Sequence, residues 1–334
     1  MKKITCISYH NSGSGAVDDF LREFDGIQFA PSDVEARFLQ DPDGISDLEY
    51  NLVDNWHRLN SGFAIKRFEK FANYYNHTYS LIFGSEWKNQ TKQYVQKLID
   101  FSFPGYWHAD VRLQNDISQL IYKLKRGISK LSPQKYRKSP DYNYYPNLIS
   151  YHSRPDRETF YRITRDFCEN LCNSISHEGT EYIVLDQCVS TTNISRYLNY
   201  IDDLKVIIVD RDPRDLFIQG IRGNTHVLPH NPSLFAVQYM DMRFSIDEEL
   251  KNPNVIKIQF EDLIYNYDQT TKLICDFLGL DPEKHIRKKE FFNPAISIKN
   301  TQMWKRDKGL NMEINELEKK LKKYFYEFPE EYKD

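Results

Sequence analysis

Short apolar runs that each lead into a polar loop and then a helical pattern are the feature that most constrains the fold of this chain. These runs cover residues 4–9, 181–186, 204–209 and 255–260. Strands that alternate with helices build a mostly parallel sheet with right-handed crossovers, and the carboxyl ends of its strands meet at one edge. The sequence therefore predicts a three-layer α/β/α fold with a ligand site at that edge.

The chain has 334 residues, which is enough for one α/β domain that buries its core without metals or disulfides. We expect a single domain over residues 1–334. Residues 31–150 carry amphipathic helical patterns without a repeat period, so they predict a long helical insertion. The apolar positions of residues 314–328 are in helical register and predict a C-terminal helix.

Charge and cysteine usage exclude several classes of protein. The 45 Lys and Arg nearly balance the 48 Asp and Glu, so the chain lacks the strongly basic field of a nucleic-acid binder. The five scattered cysteines do not form a disulfide framework and favour a reducing compartment. The sequence shows neither the apolar core of a signal peptide nor a span of about 20 apolar residues. It predicts a cytoplasmic protein with, at most, peripheral contact to a membrane.

The loop after the first predicted strand is a candidate anion site. It reads Asn11-Ser12-Gly13-Ser14-Gly15-Ala16 and leads into a helical pattern. Backbone N–H groups between a strand and a helix N-terminus bind phosphate, although a tight turn that needs glycine gives the same pattern. The loop lacks the Gly-Lys-Ser/Thr ending of a nucleotide triphosphatase, and Asp18 stands where a dinucleotide loop has its third glycine. The expected fold is therefore P-loop-like without a Walker lysine.

A second candidate is Arg211, which directly follows the apolar run 204–209 and Asp210. An arginine at the mouth of a buried parallel strand can bind a phosphate through two N–H groups. Asp212, Arg214 and Asp215 follow it, and we expect these three to cap the next helix and form ion pairs.

Both motifs, in this order, resemble those of the sulfotransferases that use 3′-phosphoadenosine 5′-phosphosulfate (PAPS). In that family the first loop holds the 5′-phosphosulfate and the arginine holds the 3′-phosphate. Residues 256–263 and 275–280 resemble its Glu-Asp-Leu and Phe-Leu-Gly segment, and residues 300–306 resemble its closing loop. The resemblance covers residues 1–26 and 181–330. It implies a divergent, bacterial-type enzyme that moves a sulfuryl group from PAPS to a carbohydrate or glycolipid hydroxyl without a metal.

The resemblance also implies the residues that bind PAPS. They are Asn11, Ser12, Gly13, Ser14, Gly15, Ala16, Arg211, Gln219, Trp304, Lys305 and Arg306. Two of them depart from the family, because Asn11 replaces a lysine or arginine and Gln219 replaces a serine. His10, Lys305 or Arg306 could supply the missing loop cation, and if none of them does, the chain is an altered or inactive relative of the family.

A general base is needed to accept the proton of the acceptor hydroxyl. The family draws catalytic residues from the loop after its second core strand, which makes Asp186 the first candidate and His10 the second. An aspartate needs burial to raise its pKa before it becomes an effective base. His226 and His230 could line the acceptor side, but the pattern favours surface loop positions for both.

Two other functions stay open at this point. A relative that binds nucleotides without sulfuryl transfer would explain the absence of the loop cation. A P-loop kinase-like phosphotransferase would share the fold, but it requires a loop lysine and a carboxylate for Mg²⁺. The expected partner in the leading hypothesis is a glycan or glycolipid acceptor.

Overall fold

The computed structural model describes residues 1–105, 107–131, 148–224 and 227–332. They form two units, of which the first comprises Met1–Arg37 with Ile175–Asp334 and the second comprises Phe38–Ser174. All five cysteines are free thiols, and four of them are buried. Within the described residues, no helix combines the length and the apolar character needed to cross a bilayer.

The first unit is built on a five-stranded sheet in which every pair of neighbours is parallel. The strands found among the described residues are β1 (Lys2–Ser8), β2 (Ile27–Phe29), β3 (Phe101–Pro104), β4 (Ile149–His152), β5 (Tyr182–Val184), β6 (Leu204–Asp210) and β7 (Val255–Gln259). The order in the sheet is β2-β5-β1-β6-β7, and helices flank it. The predicted α/β fold with a mostly parallel sheet is confirmed.

The helices follow the chain in this order: α1 (Ser14–Leu21), α2 (Ile45–Glu49), α3 (Asn60–Tyr74), α4 (Asn76–Phe83), α5 (Glu86–Leu98), α6 (Asp116–Leu131), α7 (Arg157–Ile175), α8 (Ile194–Tyr197), α9 (Pro213–Arg222), α10 (Pro232–Asp241), α11 (Ile246–Glu249), α12 (Asp262–Tyr265), α13 (Tyr267–Leu278), α14 (Pro294–Ser297), α15 (Met303–Arg306) and α16 (Asn311–Leu321). The last helix overlaps the predicted helix 314–328 over residues 314–321.

The pairing of β1 with β6 forms the centre of the sheet. Lys3 to Ser8 lie opposite Leu204 to Val209 in unbroken register, and the apolar side chains of both strands are fully buried. Because both strands are covered on both faces, they read as continuous apolar runs and not as alternating patterns. This register brings the loop that follows Ser8 beside the end of β6.

The second unit is mainly helical but also contains the antiparallel hairpin β3–β4. Its core holds a cluster of aromatic rings in edge and stacked contacts, made of Phe38, Phe68, Tyr79, Trp87, Tyr94 and Phe167. The predicted insertion 31–150 overlaps this unit, which extends to Ser174. Much of the aromatic content of the chain therefore serves packing, its commoner use.

A buried ion pair stabilises the end of β6. The Arg243 guanidinium contacts both oxygens of Asp210, with Nη2 2.6 Å from Oδ1, and both residues are 4% exposed. The rings of Tyr9 and Tyr239 cover the guanidinium, and their centroids lie 4.0 and 3.3 Å from its Cζ atom. These contacts fix the backbone immediately before Arg211.

Replacing one partner of this pair should destabilise the protein strongly. In Arg243→Ala the Asp210 carboxylate stays buried and keeps Lys257 at 3.8 Å as its described cationic neighbour, together with the backbone N–H of the next residue at 2.9 Å. We therefore expect the free energy of unfolding to fall by about 3–5 kcal/mol. Arg222→Ala is the matched control, because that arginine is half exposed in its pair with Asp307 and should cost at most about 1 kcal/mol. Urea unfolding measures both, and equal losses would contradict the role given to Arg243.

Candidate nucleotide-binding and active site

The loop between β1 and α1 has an unusual backbone. His10, Asn11 and Gly13 have φ angles of 59°, 50° and 101°, which lie in the left-handed region. The Ser12 hydroxyl donates to the carbonyl oxygen of Val209 at 2.9 Å and accepts from the Tyr9 N–H at 2.8 Å. Ser12 is fully buried, so its side chain holds the loop against the end of β6.

Gly13 is required by sterics as well as by its φ angle. A Cβ atom at this position would lie 2.5 Å from the Phe260 ring. At Gly15, by contrast, an added Cβ atom would have no heavy atom within 4 Å, and this residue belongs to α1. The loop therefore approaches Phe260 closely at one glycine only.

Arg211 lies where the loop, the end of β6 and the segment before α15 meet. Its Nη1 donates to the Asn11 carbonyl oxygen at 3.0 Å and to the Gln219 amide oxygen. Its Nη2 donates to the Asn300 carbonyl oxygen and contacts the Met303 sulfur. The side chain is buried, and burial lowers the pKa of the guanidinium.

The hydrogen bonds of Arg211 leave capacity for an anion. Every acceptor that it contacts is neutral, and its Nε is buried without a hydrogen-bond partner among the described atoms. The nearby Glu261 carboxyl is fully buried, and burial together with Asp212 raises its pKa to about 8, so it is mostly protonated at neutral pH. A phosphate fits this environment because buried charges need a partner.

Asp215 anchors the segment that leads into α15. Its carboxylate accepts from the backbone N–H groups of Gln302 at 2.7 Å and Met303 at 2.6 Å. Burial, followed by the charge of Asp212, raises the pKa of Asp215 to about 6. The sequence predicts helix capping and surface pairing for Asp215, and the structure shows that it caps α15, a helix far along the chain.

The aromatic and basic residues of α15 have separate surroundings. Trp304 packs on the Arg214 guanidinium, whose Cζ is 4.1 Å from the ring centroid, and Arg214 is in turn paired with Asp212. Lys305 contacts the Tyr332 carbonyl oxygen at 3.4 Å, and Arg306 donates to the Thr301 carbonyl oxygen at 3.0 Å. Of the residues around α15, Trp304 contacts Arg214. The described contacts of Arg211 in this segment are instead with Asn300 and Met303.

Asp186 follows β5 and lies beside Asp18 of α1. Burial and the charge of Glu35 raise the pKa of Asp186 to about 6, while a hydrogen bond from Asp18 opposes that rise. Burial and the charge of Asp186 hold the pKa of Asp18 well above its ordinary value, which favours the protonated form of Asp18. Both carboxyls line a cavity of about 230 Å³.

Gln187 joins the loop after β5 to the loop after β1. Its Nε2 donates to the Ser14 hydroxyl at 2.8 Å and to the Ser8 hydroxyl at 3.3 Å. Its φ angle of 52° turns the chain toward these hydroxyls. The residue next to Asp186 is thus in direct contact with the predicted phosphate loop.

His10 is an exposed residue at the start of the loop. Partial desolvation and the charge of Arg37 lower the pKa of its imidazole, so the ring is neutral at neutral pH. A neutral His10 can donate a hydrogen bond but does not replace the charge absent at Asn11. His230 is also exposed, and His226 lies outside the described residues.

Sequence reasoning missed Asp18, Gln187 and Arg37 as parts of this site. Asp18 belongs to a helical pattern in the sequence, which does not distinguish it from other helix residues. Only the structure shows that it is buried and interacts with the Asp186 carboxyl. Gln187 is three positions beyond the last residue of β5, where the sequence does not predict a left-handed residue. No group of three or more His, Cys, Asp or Glu side chains in the described ranges could hold a metal ion.

Comparisons with known proteins returned solved structures only. No family model matches the chain, and no curated protein matches it. The sulfotransferase domain of the Synechococcus PCC 7002 olefin synthase is 13% identical with a TM-score of 0.45, covering 98% of this chain and 95% of that one. The sulfotransferase domain of the curacin biosynthetic pathway is 13% identical with a TM-score of 0.44, covering 98% and 99%.

A third solved structure is retinol dehydratase in complex with androsterone and the inactive cofactor PAP. It is 12% identical with a TM-score of 0.35, and the match covers 97% of this chain and 81% of that one.

The two loop glycines should respond in opposite ways to the same substitution. Gly13→Ala forces a left-handed backbone on alanine and displaces Phe260, so we expect the free energy of unfolding to fall by about 2–4 kcal/mol. Gly15→Ala should be neutral or stabilise by up to about 1 kcal/mol, because it adds a methyl group to open space in a helix. Thermal unfolding compares the two, and a well-tolerated Gly13→Ala would contradict the close contact with Phe260.

Proposed function

We propose that this chain transfers a sulfuryl group from PAPS to a hydroxyl of a carbohydrate or glycolipid acceptor. The observation that carries the proposal is the position of Arg211. Its guanidinium contacts the loop after β1, Gln219 of α9 and the segment before α15, which are distant in sequence. These are the segments that resemble the nucleotide-binding motifs of PAPS-dependent sulfotransferases.

In this proposal Arg211 binds the 3′-phosphate, and the backbone of residues 11–16 binds the 5′-phosphosulfate. The phosphate would take the place of the Asn11 and Asn300 carbonyl oxygens on Arg211, since a charged acceptor forms a stronger hydrogen bond than a neutral one. Gln219 accepts from Arg211 and orients it, a role that a serine hydroxyl could also fill. The departure at Gln219 is therefore compatible with nucleotide binding.

Asn11 leaves the loop without a cation of its own, and stabilisation of the leaving oxygen has to come from other groups. The Asn11 and Gln187 amides can donate hydrogen bonds. Arg37 is close enough to His10 to lower the pKa of its imidazole. Although Arg37 pairs with Glu35 at 3.4 Å, we add it to Lys305 and Arg306 as a candidate source of positive charge. A non-catalytic, nucleotide-binding relative is the second candidate, and the departure at Asn11 favours it.

Asp186 is the proposed general base. Transfer forms a bond between the acceptor oxygen and sulfur and breaks the bond between sulfur and the 5′-phosphate oxygen, while the hydroxyl proton passes to Asp186. A pKa of about 6 leaves the carboxylate ionised at neutral pH and more basic than an ordinary aspartate. The raised pKa of Asp18 favours its neutral form, which would avoid a second negative charge beside Asp186.

The acceptor class is supported by a cavity in the second unit. This cavity of about 510 Å³ is lined by Trp87 and Tyr151 together with polar side chains, namely Glu69, Asn73, Asn76 and Gln96. Tyr151 donates to Glu69 at 3.4 Å, and burial raises the pKa of Glu69. The Tyr151 ring, flanked by amides and a carboxylate, suits the apolar face and the hydroxyls of a sugar ring.

The role of Arg211 is tested by comparing nucleotides with and without a 3′-phosphate. We expect Arg211→Ala to weaken binding of 3′-phosphoadenosine 5′-phosphate (PAP) by about 10- to 100-fold, because a charge-assisted contact contributes about 1.5–3 kcal/mol. Binding of adenosine 5′-monophosphate should change little. Isothermal titration calorimetry measures both affinities.

Arg214→Ala provides the matched control for this comparison. Arg214 is also a buried arginine, but it is paired with Asp212 and stacked on Trp304, so its loss should affect the two nucleotides equally. If Arg211→Ala likewise weakened both ligands to the same extent, its assignment to the 3′-phosphate would be wrong. Failure of the wild-type protein to bind PAP would contradict the proposed function.

The role of Asp186 is tested by the pH dependence of turnover. Because the base must be deprotonated, kcat should rise with pH through about 6 and then level off. Asp186→Asn should lower kcat by about 10²- to 10⁴-fold and abolish this rise, with little change in PAP affinity. Sulfuryl transfer from labelled PAPS gives the measurement.

Asp33→Asn serves as the control for Asp186→Asn, since Asp33 is an exposed carboxylate that lines the same cavity. Its kcat should stay near that of the wild type. Near-normal turnover in Asp186→Asn would assign the base to another residue. Binding of PAP without any transfer would favour the non-catalytic candidate.

A further inference from the structure

Helix α6 presents its apolar side chains to solvent. Six of them are between 46% and 87% exposed, namely Ile117, Leu120, Ile121, Leu124, Ile128 and Leu131. They recur at intervals of three and four residues, so they form one continuous stripe along the helix. A surface helix of a globular protein normally turns such a stripe toward the core, and α6 turns it away.

The opposite side of α6 is the side that packs on the protein. Tyr122 is 6% exposed, and Ser118 and Gln119 are partly buried. On a helical projection these residues lie across the axis from the stripe. The helix is therefore attached by its polar back, and the exposed stripe is not explained by packing within the described chain.

Basic residues border this stripe. Lys123 and Lys125 are exposed and fall on its two sides, and the α6 sequence also contains Arg126 and Lys130 against a single acidic residue, Asp116. The helix thus carries a net positive charge in a chain whose formal net charge is −3. Lysines at the boundary between apolar and polar faces can extend toward anionic headgroups while the stripe enters the acyl region.

We propose that α6 is an interfacial helix that binds an anionic lipid surface. The same unit exposes Phe101, Phe103 and Trp107, and aromatic side chains of this kind are frequent at membrane interfaces. Pairing of α6 with a second copy of the chain is disfavoured, because it would bring two positively charged helices together. The proposal concerns α6 alone and does not depend on the proposed sulfuryl transfer.

The test is co-sedimentation of the full-length protein with lipid vesicles. We expect binding to phosphatidylcholine vesicles that contain about one third phosphatidylglycerol, and weaker binding at high salt or on pure phosphatidylcholine. Leu120→Ser/Leu124→Ser should weaken this binding by about 10- to 100-fold, because two apolar contacts with lipid are lost. Lys123→Glu/Lys125→Glu should weaken binding to the anionic vesicles by about 25-fold or more and have little effect on neutral ones.

Control variants are available on α13, where Lys272 and Leu273 are both exposed. Leu273→Ser and Lys272→Glu should bind vesicles like the wild type. The α6 variants should keep the wild-type melting temperature, since the altered side chains are exposed. If Leu120→Ser/Leu124→Ser has a lower melting temperature than the wild type, vesicle binding by Lys123→Glu/Lys125→Glu still tests the proposal.

Two results would overturn the proposal. One is equal vesicle binding by the wild type and both α6 variants, or no binding by any of them. The other is a wild-type dimer in solution that becomes a monomer in the leucine variant without vesicle binding, which would identify the stripe as a self-association surface.

Discussion

The parallel pairing of β1 with β6 is the constraint on which the rest of the site depends. Six consecutive residue pairs hold the two strands in register, and the apolar side chains along them are excluded from water. A shift of one residue would turn each buried side chain of β1 to the opposite face of the sheet. The pairing therefore determines that the loop after Ser8 and the guanidinium of Arg211 lie at the same edge.

Burying charged groups at that edge is costly, and the structure compensates in several ways. Asp210 is paired with Arg243. Asp215 accepts two backbone N–H groups, and Glu261 is neutralised by the rise of its pKa. Arg211 differs from these three, because the acceptors of its described hydrogen bonds are neutral and its Nε has no partner among the described atoms, although burial lowers its pKa and the nearby charge of Asp215 opposes that lowering. Residues with incomplete compensation of this kind are candidates for ligand binding.

The sheet, and the meeting of the loop after β1 with Arg211 at one of its edges, could be predicted from the sequence, because buried parallel strands read as unbroken apolar runs and their ends share one edge. Strand β2 was missed because Ile27–Phe29 is too short to show a pattern. The hairpin β3–β4 was missed because four-residue strands within a helical region give little signal. The interactions of Asp18 and Gln187 depend on tertiary contacts between α1 and the end of β5, and no local pattern encodes them.

The Phe260 ring does more than disfavour a larger residue at Gly13. One edge of its ring touches that glycine, and its face lies 4.9 Å from the Cζ atom of Arg211. A single aromatic side chain thus contacts both elements that we propose to bind anions, the loop after β1 and the Arg211 guanidinium. If the proposed function holds, the width of this ring contributes to the separation of the two anionic groups of the ligand, and the site would select ligands by the separation of their charges as well as by their number.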